Sequence, residues 1–350
     1  MRILVANRFL ARTGGSENFT FAIIEEMVRL GYDVEYFTFL KGDDANAVSR
    51  QIEKLGVPFM KRESYDLILA SGNNMIRYLS QYGFVIDTMH GVLPGVEEPS
   101  AFADLYVSVS PYICEFYKKQ GYDSKVIMNG INCRRFKPKR DLPNKLCKVL
   151  SLCQSKESNV FISKCCAKIG VKFAKAEKNI ENKWSIEDDI NEADLVVGIG
   201  RSLYDGMACG RAVVSYDKRS YRDPGHEGDG YLTKANIHQS MYRNCTGTHA
   251  FTEKEFINEL EKYNPSDGND MRDIALAELN VEKTVPEYIK YWNENKDTII
   301  SPSSLFNIRR KIGMEYTREI EAIKNDYEKS HSWRYTAPFR KAVNFFKEKK

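Results

Sequence analysis

No apolar run in this 350-residue chain approaches the roughly 20 residues needed to cross a bilayer, so a soluble or peripheral protein is expected. The opening MRILVANRF holds only a short apolar run before charge, which is not the pattern of a secretory signal. Its 8 cysteines, with Cys165 and Cys166 adjacent, follow neither a metal-ligand spacing nor a disulfide framework. Reduced thiols in a cytosol are the simpler reading. His226, Glu227 and Asp229 share one loop, but no second histidine supplies a zinc spacing, so no metal is expected. The net charge of +4 is too mild to imply nucleic acid, and the basic residues gather in a linker and a tail rather than on an aromatic-lined sheet. No GxGxxG follows the first strand, which argues against a nicotinamide dinucleotide.

A chain of this length usually makes two domains, and 42% hydrophobic residues are enough to give each a core. The stretch that organises it is residues 193–217, ADLVVGIGRSLYDGMACGRAVVSYD. Leu195, Val196 and Val197 are the short apolar run of a buried parallel strand. Gly198 and Gly200 allow a sharp turn that leaves room for a ligand. Ser202 is placed to cap a helix running through Leu203, Tyr204, Met207 and Ala208 to Gly210, and residues 212–216 start another strand. The free N–H groups at that helix start, with Arg201 beside them, suit a phosphate or diphosphate. Asp205, about one turn in, could accept hydrogen bonds from ribose hydroxyls. The bland alternative for this stretch is an ordinary βαβ unit with a small-residue helix.

The chain opens in the same way. A strand over residues 2–7 leads to Gly14 and Gly15, then to a helix with Ser16 as its cap and a stripe of Phe19, Ile23, Ile24, Met27 and Leu30. Gly31 ends it and residues 34–39 form the next strand, the beginning of a doubly wound α/β domain. Further strands are expected over 65–70, 84–88, 103–108 and 125–128, with helices over 73–82 and from Pro111 to about Gln120. His90 stands just past a strand's carboxyl end, where open α/β sheets bind ligands. After the basic linker KPKRDLPNK come a strand at 148–152, a helix over 158–169 and a strand at 171–174. Residues 219–236 read as a glycine-rich functional loop, and the pattern turns helical from Phe251.

Two segments resemble one family. GRSLYDGMACGRAVV is similar to the donor-binding signature of GT-B-fold glycosyltransferases, close to the family 4 group. NGINCRRFKP resembles that group's interdomain signature N-G-[IV]-D-x-x-x-F-x-P, keeping Asn129, Gly130, Ile131, Phe136 and Pro138 with Asn132 in the aspartate's place. The resemblance covers residues 1–292. It implies an α/β, GT-B architecture of two Rossmann-like domains facing a cleft: an acceptor-side domain over 1–137, a nucleotide-sugar donor domain over 138–296, and a helical extension over 297–350. The implied reaction is metal-independent sugar transfer from a nucleotide sugar, a co-substrate and not a cofactor, to a hydroxyl of a glycan or lipid-linked acceptor in surface-polysaccharide or glycoconjugate synthesis. Gly14 and Gly15 would lie near the donor phosphates, His90 against the donor sugar and Asp205 on the ribose. Gly200, Arg201, Ser202, Leu203 and Lys156 would hold the rest of the donor, with Asn129 and Gly130 between the domains. The group's motif has two glutamates separated by seven residues. Asp205 takes the place of the second, and Val197, which cannot hydrogen-bond a sugar hydroxyl, that of the first.

Two other readings remain open at this level, a GT-B partner subunit that binds a sugar nucleotide without turnover and a sugar-nucleotide epimerase. Arg134, Arg135, Lys137, Lys139 and Arg140 read as cleft-facing or, for most, as a solvated basic linker. Residues 303–329 read as one polar helix. The tail from Trp333 to Lys350 alternates aromatic and basic residues, which suits either an anionic inner-membrane surface or packing on the enzyme or a partner. SWRYTAPFR also resembles a tail motif of bacterial surface-polysaccharide glycosyltransferases.

Overall fold

The computed structural model describes residues 1–93, 97–176, 183–219 and 225–297. The expected helix over 303–329 and the tail from Trp333 to Lys350 lie outside the described residues. Among those described, no helix is long and apolar enough to cross a membrane.

The first half runs β1 (Arg2–Ala6), β2 (Phe9–Leu10), α1 (Gly15–Arg29), β3 (Asp33–Phe37), β4 (Leu40–Lys41) and α2 (Val48–Lys54). It continues with β5 (Tyr65–Ala70), α3 (Asn73–Leu79), β6 (Gly83–Met89), β7 (Leu105–Ser108), α4 (Pro111–Lys118) and β8 (Lys125–Val126). Six strands form an all-parallel sheet in the order β3-β1-β5-β6-β7-β8. The apolar runs of β1, β5 and β6 are buried on both faces, as parallel strands covered by helices require. The chain leaves β1 for β3 on one side and returns for β5 on the other, which opens a crevice at the carboxyl ends of β1 and β5.

The second half repeats the plan with β9 (Lys148–Ser151), α5 (Lys156–Lys168), β10 (Lys172–Lys175), α6 (Glu187–Glu192), β11 (Leu195–Gly198), α7 (Arg201–Ala208) and β12 (Ala212–Tyr216). It closes with β13 (Gly228–Leu232), α8 (Ile237–Tyr242), α9 (Glu253–Glu261), α10 (Pro265–Glu278) and α11 (Val281–Asn295). The sheet order is β10-β9-β11-β12-β13, parallel except for the edge strand β13, and its crossover crevice lies between β9 and β11.

The chain passes between the halves twice, and the two passages are hydrogen-bonded. Ile131 N–H donates to the Leu279 carbonyl (2.6 Å), and Val281 N–H donates to the Ile131 carbonyl (2.9 Å). Ile131, Cys133 and Phe136 belong to the second core, whereas Val281, Val285 and Tyr288 of α11 return to the first. Both halves belong to one unit, Met1–Ile299.

Several local expectations are corrected. Ser16 and Ser202 cap nothing: Gly14 and Gly200 occupy the N-cap positions, and each helix starts one residue before its serine. Leu30 is exposed at the end of α1 rather than part of its buried stripe. Residues 228–232, expected in a loop, form β13 because they pair with β12. Most of the basic linker is solvated, as expected, with Arg134, Lys137, Lys139 and Arg140 exposed and Arg135 half-buried, and none of the five lines the cleft. Arg134 pairs with the buried Glu26 (2.7 Å) and with Glu282, and Arg140 with the buried Asp194 (2.6 Å). Arg135 pairs with Glu187 (3.1 Å) and lies over the Trp184 ring, and Lys139 pairs with Asp188. Acidic residues from both halves thus hold the first passage in place.

Candidate functional site

The two crossover crevices open onto one cavity of about 910 Å³, within the size range of small-molecule sites. The first half contributes the β1–α1 loop (Thr13 to Asn18), His90 to Leu93 after β6, and Tyr112, Ile113 and Phe116 of α4. The second half contributes Leu152 and Gln154 after β9, Ala174 to Ala176 at the end of β10, and Ile199 to Ser202 with Asp205 after β11. Trp184, Ile186, Arg219, His226 and the segment Arg243–Asn244 complete the wall.

The start of α7 is the best-defined part. Gly200 has φ +55°, in the left-handed region that favours glycine, so the chain turns from β11 straight into the helix. The Gly200 carbonyl accepts from the N–H groups of Leu203 (3.0 Å) and Tyr204 (3.3 Å). The N–H groups of Arg201 and Ser202, in the first turn, have no helical carbonyl to reach, and both residues line the cavity. Arg201 is buried; its Nη1 donates to the Gly130 carbonyl (2.9 Å), and its Nε lies 3.6 Å from Asp205 Oδ1. That separation is an ion pair without a hydrogen bond. Burial lowers the Arg201 pKa and Asp205 works against that lowering; the guanidinium stays charged.

His90 is half-buried, and its Nε2 is out of contact with solvent and has no hydrogen-bond partner. The Phe19 ring stands edge-on at 5.0 Å. Burial, and then the charge of Arg201, push its pKa down to about 4. The imidazole is therefore neutral at physiological pH, with one ring nitrogen able to donate and the other to accept.

Most of the sequence-derived site residues converge here. Gly14, Gly15, His90, Asn129, Gly200, Arg201, Ser202 and Asp205 line the same cavity, and Gly130 enters through its carbonyl bond to Arg201. Asn129 reaches across to Asn244, Nδ2 to Oδ1, at 3.4 Å. Two residues are not brought in. Leu203 is wholly buried in the second core and its N–H is used within the turn. Lys156, the first residue of α5, lines a separate depression with Phe161, Lys164 and Lys218. Asn132, in the aspartate's place, accepts from the N–H groups of Arg134 (3.0 Å) and Arg135 (3.1 Å) and donates to Glu25, so it shapes the passage between the halves. Val197 is buried among Val149, Leu195 and Val214 and offers the cleft no polar atom.

Sequence reasoning missed four contributors. Asn18 lies one turn into α1, and its Oδ1 is buried without a partner. Trp184 stands between Phe21 (4.5 Å, edge-on) and Arg135 (4.6 Å), so an isolated tryptophan joins the halves. Arg243 lies over the Tyr112 ring of α4 (4.6 Å). A signal existed for Tyr112, since α4 directly follows a parallel strand and such loops face the ligand side. The arrangement offers an anion site at α7, a neutral hydrogen-bonding imidazole, and an apolar wall (Leu152, Ala174, Ile186) suited to a flat ring.

No protein-family model and no curated protein matches the chain. Among solved structures it is similar to an alpha-glucosyltransferase in complex with UDP and a 13-mer DNA containing a HMU base, at TM-score 0.50 and 9% identity over 83% of this chain and 98% of that one. It is also similar to the S. aureus MnaA–UDP co-structure (TM-score 0.48, 10% identity, 84% and 97% of the two chains). The apo lipopolysaccharide outer core galactosyltransferase WaaB matches at TM-score 0.41 and 13% identity, over 79% and 99%. The likeness is one of fold, and the fold is GT-B, two Rossmann-like halves facing a cleft.

Proposed function

We propose that this protein is a glycosyltransferase that binds a nucleotide sugar in the cleft and moves the sugar to a hydroxyl of a glycan or lipid-linked acceptor. The observation that carries this reading is the convergence of both crossover crevices on one cavity, with the N-terminus of α7 and Arg201 opening into it. In this reading the Arg201 and Ser202 N–H groups and the Arg201 guanidinium take the diphosphate. They stabilise the negative charge that builds on it as the glycosidic bond breaks, and this needs no metal. Asp205 serves the ribose and keeps Arg201 charged and oriented. The base rests against Leu152, Ala174 and Ile186, and neutral His90 hydrogen-bonds the sugar from the opposite half. The reading includes a cytoplasmic protein held at the inner membrane face through its tail. Truncation after Lys329 then releases it from anionic liposomes, and equal co-sedimentation of both forms counts against that part.

The buried Val197 favours one second reading, a GT-B partner subunit that binds the donor without turning it over, because the cleft lacks a carboxylate at that position. Incubation with UDP-, GDP- and dTDP-sugars, with free nucleoside diphosphate measured, separates the two. Transfer predicts release from one donor, accelerated by an acceptor. Tight binding of a donor without release supports the partner reading, and a changed sugar still on its nucleotide would indicate an epimerase.

A further inference from the structure

The charged side chains that line the cavity are divided between its two walls. The second half brings cations, Lys175, Arg201, Arg219 and Arg243 among them, besides Asp189 and Asp205. Among the described residues the first half brings no lysine or arginine to the cavity, only the carboxylates Glu17 and Glu97. Cations on one wall suit a diphosphate. A carboxylate on the other wall is placed to accept a proton or a hydrogen bond from a hydroxyl.

Glu97 stands beside His90 and is held from three directions. Its N–H donates to the Leu93 carbonyl (3.0 Å), its Oε2 accepts from the Leu93 N–H (3.1 Å), and its carbonyl accepts from the Tyr117 hydroxyl (2.9 Å). The carboxylate lies against Gly91, where a Cβ would meet Oε2 at 2.0 Å. That glycine is next to His90, whose ring feels the charge of Arg201 on the opposite wall. Oε1 accepts no hydrogen bond among the described residues and is left for the cavity. Tyr117 belongs to an apolar cluster with Met89, Val109 and Ile113. Burial raises the Glu97 pKa above the ordinary 4.5, with the Leu93 N–H working against that rise. A carboxylate so placed is a better proton acceptor than one in water. Val197 leaves the wall of the second half without a carboxylate at its position, and Glu97 supplies one from the wall facing it.

We propose that Glu97 is the general base of the transfer, taking the proton of the acceptor hydroxyl, and that the sugar moves in one displacement with inversion at its C1. The proposal rests on the glycosyltransferase reading and deepens it by assigning the base and the stereochemistry. The hydroxyl oxygen bonds to C1 on the face away from the diphosphate, and its proton passes to Glu97 Oε1. The C1–O bond to the diphosphate breaks with its electron pair going to the leaving oxygen, where the start of α7 and Arg201 receive the charge.

The test uses the full chain and four α-linked donors, UDP-glucose, UDP-galactose, UDP-N-acetylglucosamine and GDP-mannose, with water as the acceptor. The parent should release nucleoside diphosphate from one of them, and proton NMR should show the β-anomer of the free sugar first. Glu97→Gln keeps an acceptor for the Leu93 N–H. Its melting temperature and nucleoside diphosphate affinity should therefore stay unchanged, while release slows about a hundredfold or more. Azide, a nucleophile with no proton to lose, should restore release to Glu97→Gln and yield a β-glycosyl azide. Undiminished release from Glu97→Gln, failure of azide to restore it, or the α-anomer appearing first overturns the proposal. So does binding of a nucleoside diphosphate without release from any of the four donors. Failure of the unmodified protein to bind any nucleoside diphosphate contradicts the cleft reading and takes the proposal with it.

Discussion

His90 carries the site's most readable residue-scale consequence. Its folded pKa of about 4 lies below the ordinary 6.5, so between those values the unfolded chain binds the proton and the folded one does not. Stability from this group is therefore full above about pH 6.5 and declines as pH falls toward 4. The ring resonances of His90 in an NMR titration should stay constant from about pH 8 to 5 and move only near pH 4; a midpoint near 6.5 would mean that the imidazole is solvated and does not face a dry cleft. His90 and Arg201 were legible because a loop after a parallel strand and a helix start announce themselves in sequence. Asn18, Trp184 and Arg243 were not. Trp184 and Arg243 take their roles from partners in the other half, Phe21 and Tyr112, and no local pattern encodes those; Asn18 is marked only by the burial of its Oδ1.

Among the elements, α7 depends most on a single backbone conformation. Gly200 combines φ +55° with ψ −132°, a region in which a side chain costs about 1–3 kcal/mol. Gly200→Ala should destabilise the protein by that amount in denaturant unfolding and weaken nucleotide binding, because the first turn of α7 shifts. Gly14 is a useful contrast. Its φ of −161° is ordinary extended backbone, and a Cβ there meets only the movable Glu17 carboxylate at 1.9 Å. Gly14→Ala should stay within about 0.5 kcal/mol of the parent, and equal losses in both variants would contradict this account of the turn. The strands and helices were legible from their apolar runs, with residues 65–70 and 212–216 bounded as expected. The caps were misread because a serine after glycine looks like an N-cap, whereas each glycine takes that position itself. Strand β13 was hidden because its glycines signal a turn and only pairing with β12 makes it a strand.

At the scale of the molecule, two parallel sheets are turned so that their crossover crevices share one cavity, and two hydrogen-bonded passages fix that relation. The alternation of strands and helices made the two-half plan legible. The pairing of the basic linker with Glu26, Asp194 and Glu187 was not, since those acids lie 52 to 108 residues away. The return of α11 to the first core is equally a product of tertiary packing. The central claim is that the cavity binds a nucleoside diphosphate through the start of α7. Isothermal titration of UDP, GDP, ADP and dTDP into the full chain and into Arg201→Ala, with folding of the variant checked by circular dichroism, tests it most directly. The account predicts binding of at least one nucleotide, weakened about tenfold or more in the variant. Binding of none of the four, or equal affinity in both proteins, would contradict it.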